Sequence, residues 1–227
     1  MENVRYSGSL QQFNNEILRI GGSPYGTCWQ IATCEMKRRG LDKAHVLEFG
    51  CGEGHASQIL LRGTDVTMDL LDINPQMLDR ARQDLCMFHH RTKFFQADVH
   101  DFLKTVGRGR RYEVIFSSFV MHNFPRSERQ KLLAECHAAM WRGGTFILND
   151  SIPVDHGDEE MLRRQLRRYR YLPEAVRDDI IEHVTQDAQP PYYMPSRQIR
   201  DDLEDAGFKN ITLEDRVERE ALIFANA

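Results

Sequence analysis

Val46-Leu47-Glu48-Phe49-Gly50-Cys51-Gly52-Glu53-Gly54 is an apolar run that closes on an acid and then on three alternating glycines. His45 to Phe49 reads as a short buried strand and His55 to Leu61 as the helix after it, so the glycines occupy a strand-to-helix turn. Glycine there accepts positive φ and lets bare backbone approach a ligand, while the first N–H groups of the helix add a polar rim. Such a loop alone is compatible with a plain tight turn, and the flanking chain has to decide its use.

Downstream, short apolar strands alternate with helices. Val66 to Leu71 reads as a strand closing on Asp72, Pro75 to Leu85 as a helix, and Lys93 to Gln96 as a strand leading to Ala97-Asp98-Val99. Tyr112 to Phe116 opens into Ser117-Ser118-Phe119-Val120-Met121-His122-Asn123. A helix is expected from Ser127 to Trp141, ended by Gly143-Gly144, before a strand from Thr145 to Leu148 that closes on Asn149-Asp150. This alternation predicts an α/β fold with a mostly parallel sheet covered on both faces and right-handed crossovers. Ligands of such sheets bind beyond the carboxyl ends of the strands, and Glu48, Asp72, Asp98, Ser117 and Asn149 all fall there.

Helices are expected at residues 10–20 and 27–39, split by Gly21-Gly22-Ser23-Pro24, with Tyr25 on the turn between them as a hinge or a lid. Beyond Asp150, residues 158–171 and 174–185 read as helices, followed by the Pro- and Tyr-rich segment 189–195. Ser196 reads as the N-cap of a helix ended by Gly207, and residues 210–213 and 221–225 as a closing antiparallel pair. The expected organisation is one domain, 1–227: an N-terminal helical lid (1–43), a core (44–150), a helical cap (151–206) and closing strands (207–227).

A chain of 227 residues with 41% hydrophobic and 28% charged residues is ordinary for a soluble globular domain. The net charge of −4 gives no global reason to expect a nucleic-acid partner. Neither a membrane-spanning run nor a signal peptide is read, so a cytoplasmic location is expected, with no membrane partner. Five widely spread cysteines without a C-x-x-C pair argue against disulfides or zinc, and no histidine cluster beyond His89-His90 is read, so no metal is expected.

Asp72 stands about twenty residues after the glycine loop, where an acid can hydrogen-bond a ribose diol. Glu48 and Glu53 place negative charge beside the loop, which disfavours a pyrophosphate and favours a ligand with a positive centre.

These stretches resemble the class I S-adenosylmethionine-dependent methyltransferases. The opening run looks like that family's first motif, Leu71-Asp72-Ile73-Asn74-Pro75 its second-strand motif, Gln96-Ala97-Asp98-Val99 its third, and Ser118 to Phe124 the segment after its fourth strand. Trp141-Arg142-Gly143-Gly144-Thr145-Phe146 is similar to the turn before its fifth. The resemblance covers roughly residues 44–150 and implies a Rossmann-like sheet of seven strands with a helical lid insertion. It also implies S-adenosylmethionine as cofactor: Gly50, Cys51 and Gly52 against the methionine part, Glu48 near its amino group, Asp72 on the ribose hydroxyls, and Ile73 and Met77 on the adenine. Asp98 would take the adenine's exocyclic amine, unless it only caps the next turn, Val99 would offer its N–H, and Ser117 would present its carbonyl to the amino-acid end.

In-line transfer from a sulfonium needs alignment and, for a protonated nucleophile, a base. His122 is the candidate base, with a structural histidine as the bland alternative, and Tyr25 and Tyr171 are the further candidate catalytic residues. Members acting on small molecules often carry two histidines here, whereas this chain has His122-Asn123. The arginines at 163, 164, 167, 168 and 170 read as a solvated helix face or an anion contact. Methylation of a small metabolite is the leading expectation. Open alternatives are a cyclase in which the cofactor is itself the substrate, giving azetidine-2-carboxylate and methylthioadenosine, modification of a tRNA wobble uridine, and a non-catalytic binding protein. Self-association as a homodimer is left open.

Overall fold

The computed structural model describes residues 24–105, 111–152, 163, 166, 167, 174–217 and 220–227. Seven strands form one sheet: β1 (His45–Phe49), β2 (Thr67–Asp72), β3 (Thr92–Gln96), β4 (Tyr112–Ser118), β5 (Met140–Ser151), β6 (Lys209–Val217) and β7 (Glu220–Asn226). The order across the sheet is β3-β2-β1-β4-β5-β7-β6. The first five run parallel, while β7 lies antiparallel to both β5 and β6. From β1 the chain steps outward through β2 to β3, then returns to β4 on the other side of β1 and steps outward again. The crevice for a ligand in such a sheet opens at this reversal, above the ends of β1 and β4.

Alternate residues of the strands feed two apolar layers. Leu47 and Phe49 of β1, Ile115 of β4 and Phe146 and Leu148 of β5 enter one, packed by α4 (Val99–Lys104), α5 (Arg126–Ala139) and α7 (Ser196–Asp205). Val46, Val114, Phe116 and Ile147 enter the other, packed by α1 (Pro24–Arg38), α2 (His55–Gly63) and α3 (Pro75–Asp84). A strand buried on both faces is apolar throughout, which is why these segments show no polar alternation. Each fully buried Leu or Phe contributes roughly 1.5–3 kcal/mol.

Several boundaries differ from expectation. Trp141 is not helical: α5 stops at Ala139, where the Arg111 guanidinium bonds the carbonyls of Ala138 and Met140, and Met140 opens β5 by pairing with Tyr112. Gly143 and Gly144 end no helix, because the N–H of Gly143 donates to Ala227 O at 2.7 Å and that of Ala227 to Gly144 O at 2.9 Å within the strand pairing. Ser196 is the first residue of α7 rather than its N-cap, which is Pro195.

The expected lid of residues 1–43 is, over Pro24–Arg38, a core helix burying Cys28, Trp29, Ala32 and Met36. The helix read at 10–20 lies outside the described residues. Of the helix read at 158–171, only Arg163, Leu166 and Arg167 are described; all three are helical, and both arginines are exposed. The cap's second helix, α6, runs from Glu174 to Asp187. Among the described residues no helix is long and apolar enough to cross a membrane.

Candidate functional site

The strand ends form a row. Gln96 pairs with Asp72, Leu71 with Phe49, Phe49 with Ser117, and Ser118 with Asn149. Gly50, Gly52 and Gly54 all have positive φ (67°, 54° and 81°), which turns the chain from β1 into α2 in three steps. A Cβ on Gly50 would stand 2.3 Å from Val120 Cγ2. The loop is therefore pressed against the segment after β4, and a side chain at position 50 would force the two apart.

The loop's donors are spent internally. The Cys51 N–H bonds Leu71 O at 3.0 Å, that of Gly54 bonds Cys51 O at 2.9 Å, and that of Gly52 bonds Asp72 Oδ2 at 2.8 Å. This corrects the electrostatic reason expected for disfavouring a pyrophosphate. Glu53 is paired with Arg80 at 2.8 Å, and Glu48 is fully buried under the loop, so neither presents a bare charge. What the loop lacks for a phosphate is uncommitted N–H groups at these three positions.

Glu48 accepts from Ser57 Oγ at 2.5 Å. Burial pushes its carboxyl up to about 8; the Ser57 hydrogen bond opposes that shift and the neighbouring Asp72 charge adds to it. The native state thus keeps a proton that the unfolded chain loses near 4.5. The Glu48 contribution to stability is fully present below about pH 4.5, falls through the interval up to about pH 8, and is lost above it. The decline amounts to a few kcal/mol by order of magnitude. Glu48→Gln is expected to flatten it in urea denaturation series across that interval, and an unchanged slope would place the titration elsewhere.

Asp72 is largely buried, which raises its pKa against the backbone hydrogen bonds that lower it. Oδ1 accepts from the Asn74 N–H at 2.8 Å while Oδ2 holds Gly52, so one carboxylate ties β2 to the loop. Asn74 caps α3 at Gln76 and Met77, with Pro75 in its first turn. Ile73 is 61% exposed, an apolar side chain standing at the mouth, and Met77 is buried on α3. Asp98 caps α4 through Oδ1, bonding the N–H groups of His100 and Asp101, and Val99 is buried behind it. Ser117 Oγ and Asn149 Oδ1 are buried without a hydrogen-bond partner among the described residues, which leaves polar capacity at the ends of β4 and β5. Trp29 of α1 donates from Nε1 to Ser118 Oγ at 2.8 Å, which ties α1 to the end of β4.

After β4 the chain turns through Phe119, a non-glycine at φ 56°, whose N–H bonds Asn149 O at 2.8 Å. That strained step delivers the short 3-10 turn Met121–Asn123. His122 Nδ1 lies 2.5 Å from Asp150 Oδ1, and Asp150 Oδ2 accepts the N–H groups of Met121 and His122. Asp150 is wholly buried, so it sets both the ring's orientation and its tautomer: Nδ1 carries the proton and Nε2 faces the cap.

There the last turn of α6 brings His183 and Asp187. Asp187 Oδ2 stands 3.9 Å from His122 Nε2 and 3.3 Å from His183 Nε2. Reading residues in order left Asp150, His183 and Asp187 without a role, although His183 and Asp187 at i and i+4 share a helix face. The sequence offered no ligand group beyond His89-His90, whereas the fold brings the donor atoms of these three residues within 4.8 Å of one another.

Arg129, 0% exposed, locks the cap segment down: its guanidinium donates to Phe124 O, Tyr192 O, Tyr193 O and Gln198 Oε1 at 2.8–3.0 Å. Of the other expected site residues, Tyr171 and the side chain of Tyr25 lie outside the described residues.

Residues 46–144 match a family model described as a methyltransferase domain. None of the curated proteins matches the sequence significantly. Many solved structures share the fold. An O-methyltransferase family protein from Burkholderia thailandensis superposes with TM-score 0.66 at 17% identity, covering 94% of this chain and 58% of that one. Human N-acetylserotonin methyltransferase, solved with S-adenosylmethionine, gives 0.58 at 17%, covering 82% and 48%. Magnesium protoporphyrin IX methyltransferase from Synechocystis, also with S-adenosylmethionine bound, gives 0.60 at 16%, covering 89% and 79%. The chain spans about half the length of the first two. The matched segment, the strand order and the glycine loop together agree on the Rossmann-like class I methyltransferase fold, with residues 46–144 as the part that matches the methyltransferase domain model.

Proposed function

We propose that this chain binds S-adenosylmethionine above the ends of β1 and β4 and methylates a small-molecule acceptor held between that site and the cap. The observation that carries this reading is the meeting, at the point where the strand order reverses, of the glycine loop tied to Asp72 with an Asp150-held histidine on the adjoining turn. The residues present fit the cofactor. Asp72 is anchored for a diol, Ile73 offers an exposed apolar face for a purine with Met77 behind it, and Asp98 uses Oδ1 in its helix cap. The buried, unpartnered Ser117 Oγ and Asn149 Oδ1 add polar capacity beside Gly50, Cys51 and Gly52. When bound, the cofactor supplies a methyl group already activated on a positively charged sulfur.

The chain's own work is then alignment and proton removal. Glu48 and Asp72 shape the loop, Arg129 holds the cap segment so that water is excluded, and orientation alone can be worth about 7–11 kcal/mol. His122 Nε2 takes the proton of the acceptor, and Asp150 stabilises the imidazolium that results. The acceptor is a small metabolite in this reading, and the exposed cap arginines serve as a solvated face.

Two measurements test it. Incubation with S-adenosylmethionine should release S-adenosylhomocysteine only when an acceptor is supplied; methylthioadenosine formed without an acceptor would overturn the reading in favour of cyclisation. By calorimetry, Asp72→Ala should weaken cofactor binding by about 1–3 kcal/mol, the worth of hydrogen bonds to a charged group. Unchanged affinity would remove Asp72 from the site.

A further inference from the structure

We propose that His122, His183 and Asp187 form a binding site for a divalent transition-metal ion, joining the turn after β4 to the end of α6. The three come from segments about sixty residues apart in sequence, yet a nitrogen of each ring and a carboxylate oxygen lie within 4.8 Å of one another. With bonds of about 2.1 Å, neighbouring ligand atoms in tetrahedral or octahedral sites stand roughly 3.0–3.4 Å apart. The His183 Nε2 to Asp187 Oδ2 distance of 3.3 Å already meets that spacing. His122 Nε2, 3.9 Å from the same oxygen, needs an approach of about half an ångström, within reach of small side-chain rotations.

A separate observation supports the site. Asp150 holds the far nitrogen of His122 at 2.5 Å and is itself wholly buried and bonded by three backbone N–H groups, those of Met121, His122 and Ser151. Such a carboxylate behind an imidazole fixes the tautomer that points its lone pair at a metal. All three side chains are buried to about nine-tenths, with 9–11% relative exposure, so a cation there would be shielded from bulk water. Two imidazoles and one carboxylate suit zinc, iron(II), cobalt(II) or manganese(II) rather than calcium or magnesium. Three protein ligands leave positions for water or for an oxygen of the acceptor.

The inference goes beyond the methyl-transfer reading. Coordination uses the same His122 nitrogen, so a bound cation replaces direct proton uptake by that ring with charge stabilisation at the acceptor. The cofactor half of the crevice is unaffected.

The test is a cobalt(II) titration of the full chain, stripped with a chelator, followed by visible absorption and by competition with zinc. One equivalent should bind with the bands of a nitrogen- and oxygen-ligated cobalt ion. Affinity should fall at least about tenfold in His183→Ala and in Asp187→Asn. Both variants should keep wild-type affinity for S-adenosylmethionine, which shows that they fold and separates failure of this site from failure of the methyltransferase reading. Absence of stoichiometric binding, or binding untouched by either substitution, overturns the proposal.

Discussion

Arg129→Ala is expected to lower stability by about 2–4 kcal/mol in urea denaturation and to loosen segment 189–195 toward protease. The guanidinium is fully buried and satisfies three backbone carbonyls and one side-chain amide oxygen drawn from the turn before α5, the Tyr192–Tyr193 strap and α7. Each carbonyl left unpaired costs about 1–3 kcal/mol, offset in part by relief from burying a charge. That burial already pulls the Arg129 pKa down, against the acids Asp202 and Asp150 nearby. Arg129→Lys should recover only part of the loss, because an ammonium donates from one point where the guanidinium forks. A loss under about 1 kcal/mol would show that the strap is held by its apolar contacts, Met194 foremost, and not by the arginine.

His122→Ala is expected to cut turnover by about 10²–10⁴-fold, the usual share of a positioned acid–base group, while leaving cofactor affinity unchanged. The same residue is a ligand in the metal inference, so lost turnover alone does not separate the two roles; the cobalt titration does. Asp150→Asn supplies the internal control, since it keeps the shape but no longer fixes the ring's tautomer, and should reproduce most of the loss. Turnover within about threefold of wild type for His122→Ala would make the histidine structural.

Much of the fold was legible because its signals are local. A short apolar run closing on a polar residue reads as a buried strand, and five such runs alternating with helix signals specify a parallel sheet. The misread boundaries at Trp141 and Gly143-Gly144 came from strand pairing of Met140 with Tyr112 and of Gly143 and Gly144 with Ala227, which no local window contains. At the site, the strand-end acids were visible for the same local reason, yet their charge states were not. Glu53 is neutralised by Arg80, which lies 27 residues away, and Glu48 by enclosure beneath its own loop.

By itself the sequence determined the alternating architecture, the glycine turn and the positions of Glu48, Asp72, Asp98 and Ser117 at strand ends, since backbone geometry and side-chain periodicity act over a few residues. Only the tertiary structure decided where the N–H groups of Cys51, Gly52 and Gly54 are engaged, which carboxylate orients His122, and which side chains meet it from the cap. Those depend on burial and on contacts between segments distant in sequence, and they exist only once α6 and the Arg129-held strap lie across the open end of the sheet.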